Sequence, residues 1–304
     1  MLHPHAEFDD LPQDDARTGG LHPYQGQTAV LVTMHGKEEV LQPLLTQAMG
    51  LKVGLATGVD TDRFGTFSRD VARPGSALDA ARAKIAAGFE ADPAARVGLA
   101  SEGSFGAHPA LPFLPFAEEL VLMIDRKTGF ELAGHDRGVR TNFASALIQD
   151  PAEAATFAAR VGFPSHGVVV TASRDGVPAP DLYLEKEAVD LLGLEAAVER
   201  ALALGGPACL ETDMRAHRNP TRMEAIARAA EDLVRRFASR CPACRRPGFS
   251  VTSLRRGLPC AWCGDPTHAP IAEVSACPAC GHVEERPLTT ATTADPGQCA
   301  ACNP

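Results

Sequence analysis

Cys241-Pro-Ala-Cys244, Cys260-Ala-Trp-Cys263, Cys277-Pro-Ala-Cys280 and Cys299-Ala-Ala-Cys302 occupy the C-terminal part of the sequence. Fifteen residues separate the first two pairs and 18 separate the last two. Two Cys-x-x-Cys pairs around a hairpin-sized insert are typical of zinc sites. The sequence therefore predicts two four-cysteine sites in which thiolates fill every position around the metal, so that two structural zinc ions hold the fold.

Which cysteine pairs share a metal is a separate question. Joining the first pair to the second and the third to the fourth closes the shortest loops, so we expect this pairing, although the spacing leaves a cross-braced arrangement open. Disulfides are the other use of paired cysteines. Residues 1–26 contain Asp, His, Pro and Gln instead of an apolar signal segment, so we expect a reducing, cytoplasmic location and therefore metal.

The composition limits the class of protein. The chain has 304 residues, of which 45% are hydrophobic and 22% charged, enough for one mid-sized domain beside the cysteine-rich segment. No apolar run of about 18 residues occurs, so no membrane span is predicted. The formal net charge is −9, which argues against a general nucleic-acid binder because such proteins concentrate basic side chains on one face.

Three regions follow from the sequence pattern. Residues 1–26 show no hydrophobic period and are predicted to be a disordered tail, residues 27–239 form an α/β domain, and residues 240–304 form a double zinc ribbon. The predicted strands are short apolar runs bounded by Gly, Pro or Asp: Thr28–Thr33, Lys52–Thr57, Arg96–Ser101, Glu119–Asp125 and Gly167–Ala172. The predicted helices are Lys37–Met49, Ser76–Phe89, Pro151–Val161, Glu185–Leu204 and Pro220–Ser239. A mixed sheet is as plausible as a parallel one.

Two lysines stand where an anion could be bound. The turn Thr33-Met34-His35-Gly36-Lys37 joins a strand to a helix, and backbone N–H groups at a helix start with a lysine beside them form an anion site. A capped helix with an exposed lysine is the alternative. In the next helix, Arg82 and Lys84 either reach past the helix into a pocket or extend into solvent.

A carboxylate, Glu102, follows the third predicted strand. Glu102 lies at its end, between Ser101 and Gly103. A carboxylate at such a position can hold a divalent metal or orient a water, and Asp60 and Asp62 on a polar loop are expected to add oxygen ligands. A turn carboxylate without function is the alternative.

The densest polar run is Glu211–Arg222, with nine polar or ionisable residues in twelve and a proline suited to the first turn of a helix. Such a run is costly to order unless it binds something. Its basic and imidazole side chains are therefore predicted to bind phosphate or a nucleobase; these are Arg215, His217, Arg218 and Arg222. A network of surface ion pairs is the alternative.

The order of these motifs resembles the inosine/xanthosine triphosphate pyrophosphatase-like superfamily, which includes the Maf proteins, over residues 28–230. The matching motifs are Thr33-x₃-Lys37, Thr66-Phe67, Ala81-Arg-Ala-Lys84-Ile, Gly98-Leu-x-x-Glu102-Gly and Arg215-Ala-His217-Arg218. The resemblance implies a mixed-sheet α/β fold in which the first turn grips phosphates and the last motif contacts the base. The chain departs from the pattern with His35 in place of a common Asn, Ala216 in place of a Ser, one strand-end carboxylate instead of two, and the added ribbon.

The whole chain also resembles an uncharacterised bacterial family of unknown function. The shared blocks are Phe64-Gly-Thr-Phe67, Ala100-Ser-Glu-Gly-Ser-Phe-Gly106 and Glu211-Thr-Asp-Met-Arg-Ala-His217. This second resemblance implies no activity.

The leading hypothesis is a Mg²⁺-dependent nucleotide-phosphate hydrolase. Lys37 and Lys84 would neutralise phosphate oxygens, and Glu102 with Asp60 would hold Mg²⁺ or activate water. Thr33 and Arg82 would contact the substrate, together with the basic residues of Glu211–Arg222. The alternative is a non-catalytic zinc-ribbon adaptor that senses a nucleotide or another anionic ligand. A small anionic ligand is the expected partner, nucleic acid is not, and a homo-oligomer stays open.

Overall fold

The computed structural model describes residues 24–61, Phe64 and residues 75–303. Asp62, which was predicted to add an oxygen ligand, and the Thr66-Phe67 motif lie outside these residues, as does most of the predicted tail. Tyr24, at the end of that tail, is buried, and its hydroxyl donates to Asp125 Oδ2 at 3.2 Å. The chain divides into two compact units, Met1–Val234 and Arg235–Pro304. The predicted boundary lay five residues later, between Ser239 and Arg240.

A five-stranded mixed sheet forms the first part of unit 1. Its strands are β1 (Thr28–Val32), β2 (Lys52–Leu55), β3 (Val97–Ala107), β4 (Pro115–Asp125) and β5 (Glu131–Gly138). Their order is β2-β1-β3-β4-β5, with β1 parallel to β2 and β3, and with β4 antiparallel to both neighbours. The prediction of a mixed sheet is therefore confirmed. The last β1–β3 pair is Val32↔Ala100, so β3 continues beyond β1 and from Ser101 onward pairs with β4 alone.

Helices α1 (Glu38–Met49) and α2 (Ala77–Ala91) provide the crossovers of this sheet. The chain passes from β1 through α1 to β2 on one side of β1, and from β2 through α2 to β3 on the other side. Because such crossovers are right-handed, the two helices cover opposite faces. The carboxyl ends of β1 and β3 are therefore a topological switch point, the usual ligand crevice of open α/β sheets.

The packing identifies which residues face each helix. On the α2 face, Ala81 and Ile85 pack with Ala100, Leu120 and Leu122. Alternation along the strands then directs the odd-numbered residues of β3 and β4 to the opposite face.

Helix α5 (Pro220–Ala238) covers that opposite face. It approaches β5 so closely that a Cβ on Gly134 would lie 2.2 Å from the Ala229 carbonyl oxygen. The N-terminus of α5 is held by Asn219, whose side-chain oxygen accepts from the Arg222 backbone N–H at 3.0 Å. Only glycine at this position of β5 allows the helix to lie so near the sheet.

A second sheet completes unit 1, in the order β10-β7-β11-β6 and antiparallel throughout. Its strands are β6 (Ser145–Ile148), β7 (Val168–Thr171), β10 (Leu184–Glu185) and β11 (Ala208–Thr212), and the short hairpin of β8 (Ser173–Arg174) and β9 (Val177–Pro178) follows β7. Helices α3 (Ala152–Val161) and α4 (Leu191–Leu202) pack on one face. Their shared core includes Phe157, Val170, Leu194 and Leu210.

Unit 2 contains a three-stranded antiparallel sheet with the order β12-β13-β14. The strands are β12 (Ser250–Arg256), β13 (Pro270–Ala276) and β14 (Val283–Pro287). Every residue of β14 is exposed, and Ala272 is the one buried residue of β13. Hydrophobic burial in this unit is therefore small. In the described ranges of both units, no helix combines the length and apolar character needed to cross a membrane.

Candidate functional site

The eight cysteines of the Cys-x-x-Cys pairs form two clusters, and in each cluster the four Sγ atoms lie within 4.8 Å of one another. One cluster contains Cys241, Cys244, Cys277 and Cys280, and the other contains Cys260, Cys263, Cys299 and Cys302. The first pair thus joins the third, and the second joins the fourth. The expected pairing of neighbouring pairs is wrong, and the clusters are cross-braced.

The sheet of unit 2 explains the cross-brace. Ala276, the residue before Cys277, pairs with Ser250 of β12 and with Val283 of β14, so this end of the sheet is near the first and third pairs. The opposite end, at Arg256 and Pro270, leads into the second and fourth pairs. Loop-closure entropy changes by only about 0.6 kcal/mol for each doubling of loop length, so strand pairing decides which cysteines meet.

The geometry of both clusters fits a four-coordinate metal. The Sγ–Sγ distances across each cluster are 3.8 Å (Cys241 to Cys280), 3.7 Å (Cys244 to Cys277), 3.8 Å (Cys260 to Cys302) and 3.6 Å (Cys263 to Cys299). A tetrahedral ion with metal–sulfur bonds of about 2.3 Å has edges of about 3.8 Å. The nine cysteines of the chain all lie in the described residues, and no disulfide joins any two of them. The thiolates can therefore close around two metal ions.

The cysteine pairs also share a backbone turn. In three pairs the residue after the second cysteine has a positive φ: 62° at Arg245, 78° at Gly264 and 72° at Gly281. Its N–H donates to the carbonyl oxygen of the first cysteine at 2.9, 3.0 and 3.0 Å, respectively. This turn directs both thiols of a pair to the same side, and it favours glycine because L side chains rarely adopt that conformation.

Unit 1 contains a cluster of five buried charged side chains at the switch point. Their exposed fractions are 6% for Lys37, 8% for Lys84, 5% for Glu102, 1% for Glu119 and 2% for Arg222. Three come from the start or interior of helices and two from strands β3 and β4. We call these five residues the charge cluster. Burial of charge without compensation is costly, so their partners determine what the cluster can bind.

Two ion pairs account for four members of the charge cluster, one on each face of the sheet. On the α2 face, Lys84 Nζ contacts Glu102 Oε1. On the α5 face, Arg222 Nε donates to Glu119 Oε1 at 2.7 Å, and the guanidinium also donates to the Met214 carbonyl oxygen. Each cation is thereby matched with a carboxylate.

Lys37 is the fifth member and has no carboxylate as a hydrogen-bond partner among the described residues. Its Nζ donates one hydrogen bond, to the Ser101 carbonyl oxygen at 3.1 Å, whereas an ammonium group has three donors. Burial, together with the positive charges of Arg222 and Lys84, lowers the pKa of Lys37 to about 7; Glu102 and Glu119 oppose this shift. When Lys37 is protonated, the charge cluster contains one more cationic group than it has carboxylates.

Four residues of the sequence prediction meet in the charge cluster, Arg222 and the three named next, and others do not. Lys37, Lys84 and Glu102 were predicted from three separate segments and lie within one electrostatic environment. Arg82 points elsewhere and forms a surface ion pair with Glu131 at 2.7 Å. Asp60 is exposed.

Thr33 has a local role in the structure. Its hydroxyl donates to the adjacent Met34 carbonyl oxygen at 3.1 Å. The proposed phosphate turn is followed by Glu38 and Glu39 in the first turn of α1. These carboxylates compete with an external anion for the helix N-terminus.

The polar run before α5 is mostly engaged with itself and its neighbours. Arg215 binds Asp213 and Glu187, both at 2.8 Å, and Arg218 donates to the Ala188 carbonyl oxygen at 2.7 Å. Arg215 therefore forms ion pairs, as in the alternative interpretation, although its pair with Asp213 is largely buried, and Arg218 binds a backbone carbonyl. Arg222 differs because it reaches into the charge cluster.

His217 lies at a surface pocket of about 510 Å³. Its ring stacks on His35, with 4.8 Å between the centroids. Partial burial and the nearby Arg215 guanidinium lower the pKa of His217, which favours its neutral form. The pocket is lined by Gly36, Glu39, Val40, Ala216, His217, Pro220, Met223, Glu224 and Ala227.

Glu119 is the member of the charge cluster that the sequence prediction missed. It is the first residue of the predicted strand Glu119–Asp125. The signal was alternation: Glu119 has the same parity as Val121 and Met123, which are fully buried. A carboxylate in register with two core residues is either paired or functional.

The comparison with known proteins adds a family without an activity. Residues 87–304, well over half of the chain, match a family described as a domain of unknown function (DUF6671). The match includes strands β3 to β14 and all eight clustered cysteines. No curated protein matches the chain.

Proposed function

We propose a function for this chain, which belongs to the DUF6671 family of domains of unknown function. Unit 1 binds a nucleotide through its phosphates and hydrolyses it with Mg²⁺. The observation that carries this proposal is Lys37, a buried ammonium group with a single hydrogen bond, to the Ser101 carbonyl oxygen. An anion at Lys37 would engage the remaining donors and balance the charge cluster. Phosphate oxygens suit this role because they accept several hydrogen bonds at once.

The position of the charge cluster supports the same function. It lies where β1 ends beside β3, at the switch point where open α/β sheets bind ligands. The five-stranded mixed sheet is compatible with the inosine triphosphate pyrophosphatase-like fold implied by the motif resemblance, and we propose that fold for residues 27–239. Catalysis would then depend on placing phosphates against fixed positive charges.

Each group has a proposed role. Lys37 and Lys84 neutralise phosphate oxygens, and His217 with its pocket receives the base or sugar. When bound, Mg²⁺ would withdraw charge from the phosphates. It commonly binds through one or two carboxylates together with substrate phosphates, so Glu102 can supply the protein ligand even though the described residues contain no cluster of three acidic or histidine ligands.

The two cysteine clusters are proposed to hold structural zinc. Four thiolates leave no open position for a substrate or water, so unit 2 takes no chemical role in this proposal. A reducing cytoplasmic location agrees with nine cysteines that form no disulfide.

The test uses the full chain loaded with zinc and a panel of nucleoside triphosphates with Mg²⁺, with release of pyrophosphate and phosphate as the readout. Wild type is expected to release pyrophosphate from at least one nucleotide, and Glu102→Gln to reduce that rate by a factor of about 100 or more. Glu131→Gln is the matched control, because Glu131 also pairs with a cation of α2 but lies at the surface. No release from any nucleotide by a well-folded wild type would overturn the enzymatic proposal.

An anionic-ligand sensor is the second candidate, and the same surplus charge at Lys37 favours it. Here Lys37 binds the anion and no turnover follows, with the cysteine-rich unit as an adaptor. Calorimetric titration with a non-hydrolysable nucleotide distinguishes the two. Binding that survives in Glu102→Gln, combined with no turnover in wild type, would select the sensor.

A further inference from the structure

Two buried polar atoms beside the charge cluster have no hydrogen-bond partner among the described residues: Glu119 Oε2 and Ser101 Oγ. Buried polar groups in native proteins are nearly always paired, and an exception calls for an explanation. An unsatisfied carboxylate oxygen is the more costly of the two. Both atoms therefore suggest a ligand that is shared between them.

The register places these atoms on the same face of the sheet. Ser101 pairs with Val121, and Gly103 pairs with Glu119, so Ser101 and Glu119 are diagonal neighbours on adjacent strands. Diagonal Cβ atoms are separated by roughly 7 Å, a gap that one water or one substrate oxygen between the two side chains can bridge. Lys37 Nζ is bound to the carbonyl oxygen of the same Ser101.

Glu119 is held in place by surroundings that leave one of its oxygens available. Arg222 Nε binds Oε1 at 2.7 Å, and the Arg222 guanidinium lies 5.2 Å from the centre of the Phe105 ring. Opposite Glu119, a Cβ on Gly103 would lie 2.5 Å from Oε1 and 2.9 Å from the Arg222 guanidinium. Glycine at 103 thus leaves the space that the ion pair fills.

We propose that Glu119 is the proton acceptor of the hydrolytic reaction, an inference that rests on the proposed function. A water bound between Glu119 Oε2 and Ser101 Oγ attacks the α-phosphorus. A bond forms from the water oxygen to phosphorus, and the water proton passes to Oε2. The bond from phosphorus to the oxygen bridging to the β-phosphate breaks, and its electron pair leaves with pyrophosphate, whose charge faces Lys37.

The surroundings favour Glu119 over Glu102 for this role. Glu102 Oε1 is in direct contact with the Lys84 ammonium on the α2 face, whereas Lys37 Nζ binds the Ser101 carbonyl oxygen. Glu119 has one oxygen bound by Arg222 and the other without a hydrogen-bond partner among the described residues, the arrangement in which a base is oriented by a third group. The surplus positive charge of Lys37 near Glu119 also favours a neutral water over a metal ion at Oε2.

The experiment compares Glu119→Gln with Glu118→Gln in the full chain, by measuring kcat, KM and the binding of a non-hydrolysable nucleotide. The amide introduced by Glu119→Gln retains an oxygen for Arg222 but is too weak a base, so we expect kcat to fall by a factor of about 100 to 10,000 with KM and analogue binding nearly unchanged. Glu118 is the adjacent carboxylate, paired with Arg137 at the surface, and its variant should retain full activity.

Ser101→Ala provides a second variant in case Glu119→Gln fails to fold. The Ser101 hydroxyl has no partner among the described residues, so its removal should leave the melting temperature unchanged or higher while kcat falls several-fold. A wild type that hydrolyses nucleotides while Glu119→Gln and Ser101→Ala retain full kcat would overturn this inference alone. A shift of the Mg²⁺ dependence in Glu119→Gln at unchanged saturating kcat would also overturn it, in favour of a metal ligand. A wild type without turnover would overturn the proposed function as well.

Discussion

The cysteine clusters of unit 2 and the charge cluster of unit 1 both gather polar side chains from distant parts of the chain, with opposite consequences for stability. In the cysteine clusters, the donors can be satisfied together by one metal ion each, and the surrounding sheet has little buried apolar surface. In the charge cluster, two cations are paired and Lys37 is in excess. The first arrangement stabilises a fold, whereas the second costs stability and is typical of a binding site.

Removal of the metal should produce the largest effect. Structural zinc contributes about 10–16 kcal/mol in small zinc domains, and few side chains other than the cysteines are buried in unit 2. We expect a strong chelator to unfold residues 235–304 while unit 1, which has its own hydrophobic cores, stays folded. Hydrogen exchange should show lost protection confined to unit 2. The single tryptophan, Trp262, lies between two of the ligands and gives a fluorescence signal for the same event.

Refolding on return of zinc is the control for that experiment. Loss of amide protection in β1, β3 or α2 upon chelation would contradict the prediction, because it would make the core of unit 1 dependent on the metal.

Double Cys→Ser substitutions can test which cysteines share a metal ion. In the cross-braced arrangement, Cys244→Ser with Cys280→Ser damages one cluster, and Cys244→Ser with Cys263→Ser damages both. We expect the first double variant to retain one tightly bound zinc per chain and the second to retain none. Metal content after dialysis, measured by mass spectrometry of the native protein, checks this. Sequential pairing would give the reverse result.

These regions also differ in what the sequence could predict. The Cys-x-x-Cys spacing identified all eight cysteines, because a metal knuckle is a local motif. It did not identify the pairing, because that depends on β12, β13 and β14. The side chains of β12 and β14 are largely exposed and carry no apolar alternation. The difference in loop-closure entropy between the two pairings is small compared with the free energy of strand pairing.

In unit 1, apolar runs predicted β1, β2 and β7 and helices α1 to α5 to within a few residues, apart from the start of α4. The parts of β3 and β4 nearest to their connecting turn were missed: β4 begins at Pro115, and β3 continues to Ala107 through Glu102, Gly103 and Ser104, residues that do not favour strands. Pairing with β4 stabilises this stretch. Lys37 and Glu102 were identified from residue type at a helix start and a predicted strand end, and Lys84 from its place in a helix. Glu119 was missed although it alternates with the buried Val121 and Met123.

Within the charge cluster, loss of a paired cation should be strongly destabilising. Arg222→Met leaves the Glu119 carboxylate buried without its partner, a change that typically costs about 3–5 kcal/mol. Arg137→Met is the control, because Arg137 and Glu118 form an exposed pair of the same chemical type, worth about 0–1 kcal/mol. Urea unfolding followed by circular dichroism, with zinc present, gives both values. Equal losses for the two variants would contradict the distinction between buried and exposed pairs.

Loss of the surplus cation, Lys37, should instead increase the stability of the folded protein. The folded pKa of Lys37 is about 7 and its ordinary value is 10.5, so between these pH values the unfolded chain binds a proton that the folded chain does not. Stability therefore decreases as pH falls from 10.5 to about 7, by a total on the order of 5 kcal/mol, and the penalty stays constant below pH 7.

Lys37→Met removes that penalty and leaves two cations matched with two carboxylates. Loss of the hydrogen bond to the Ser101 carbonyl oxygen removes about 1 kcal/mol of that gain in stability. The variant should therefore be more stable than wild type by about 2–4 kcal/mol at pH 7, and it should no longer bind the anion. The gain should shrink as pH rises from about 7 and vanish above 10.5, where Lys37 is neutral in both states. Lys52→Met, at an exposed position of β2, should change stability by less than about 0.5 kcal/mol. A Lys37→Met protein less stable than wild type at pH 7 would mean that Lys37 is a structural partner of the carboxylates and not a charge held for a ligand.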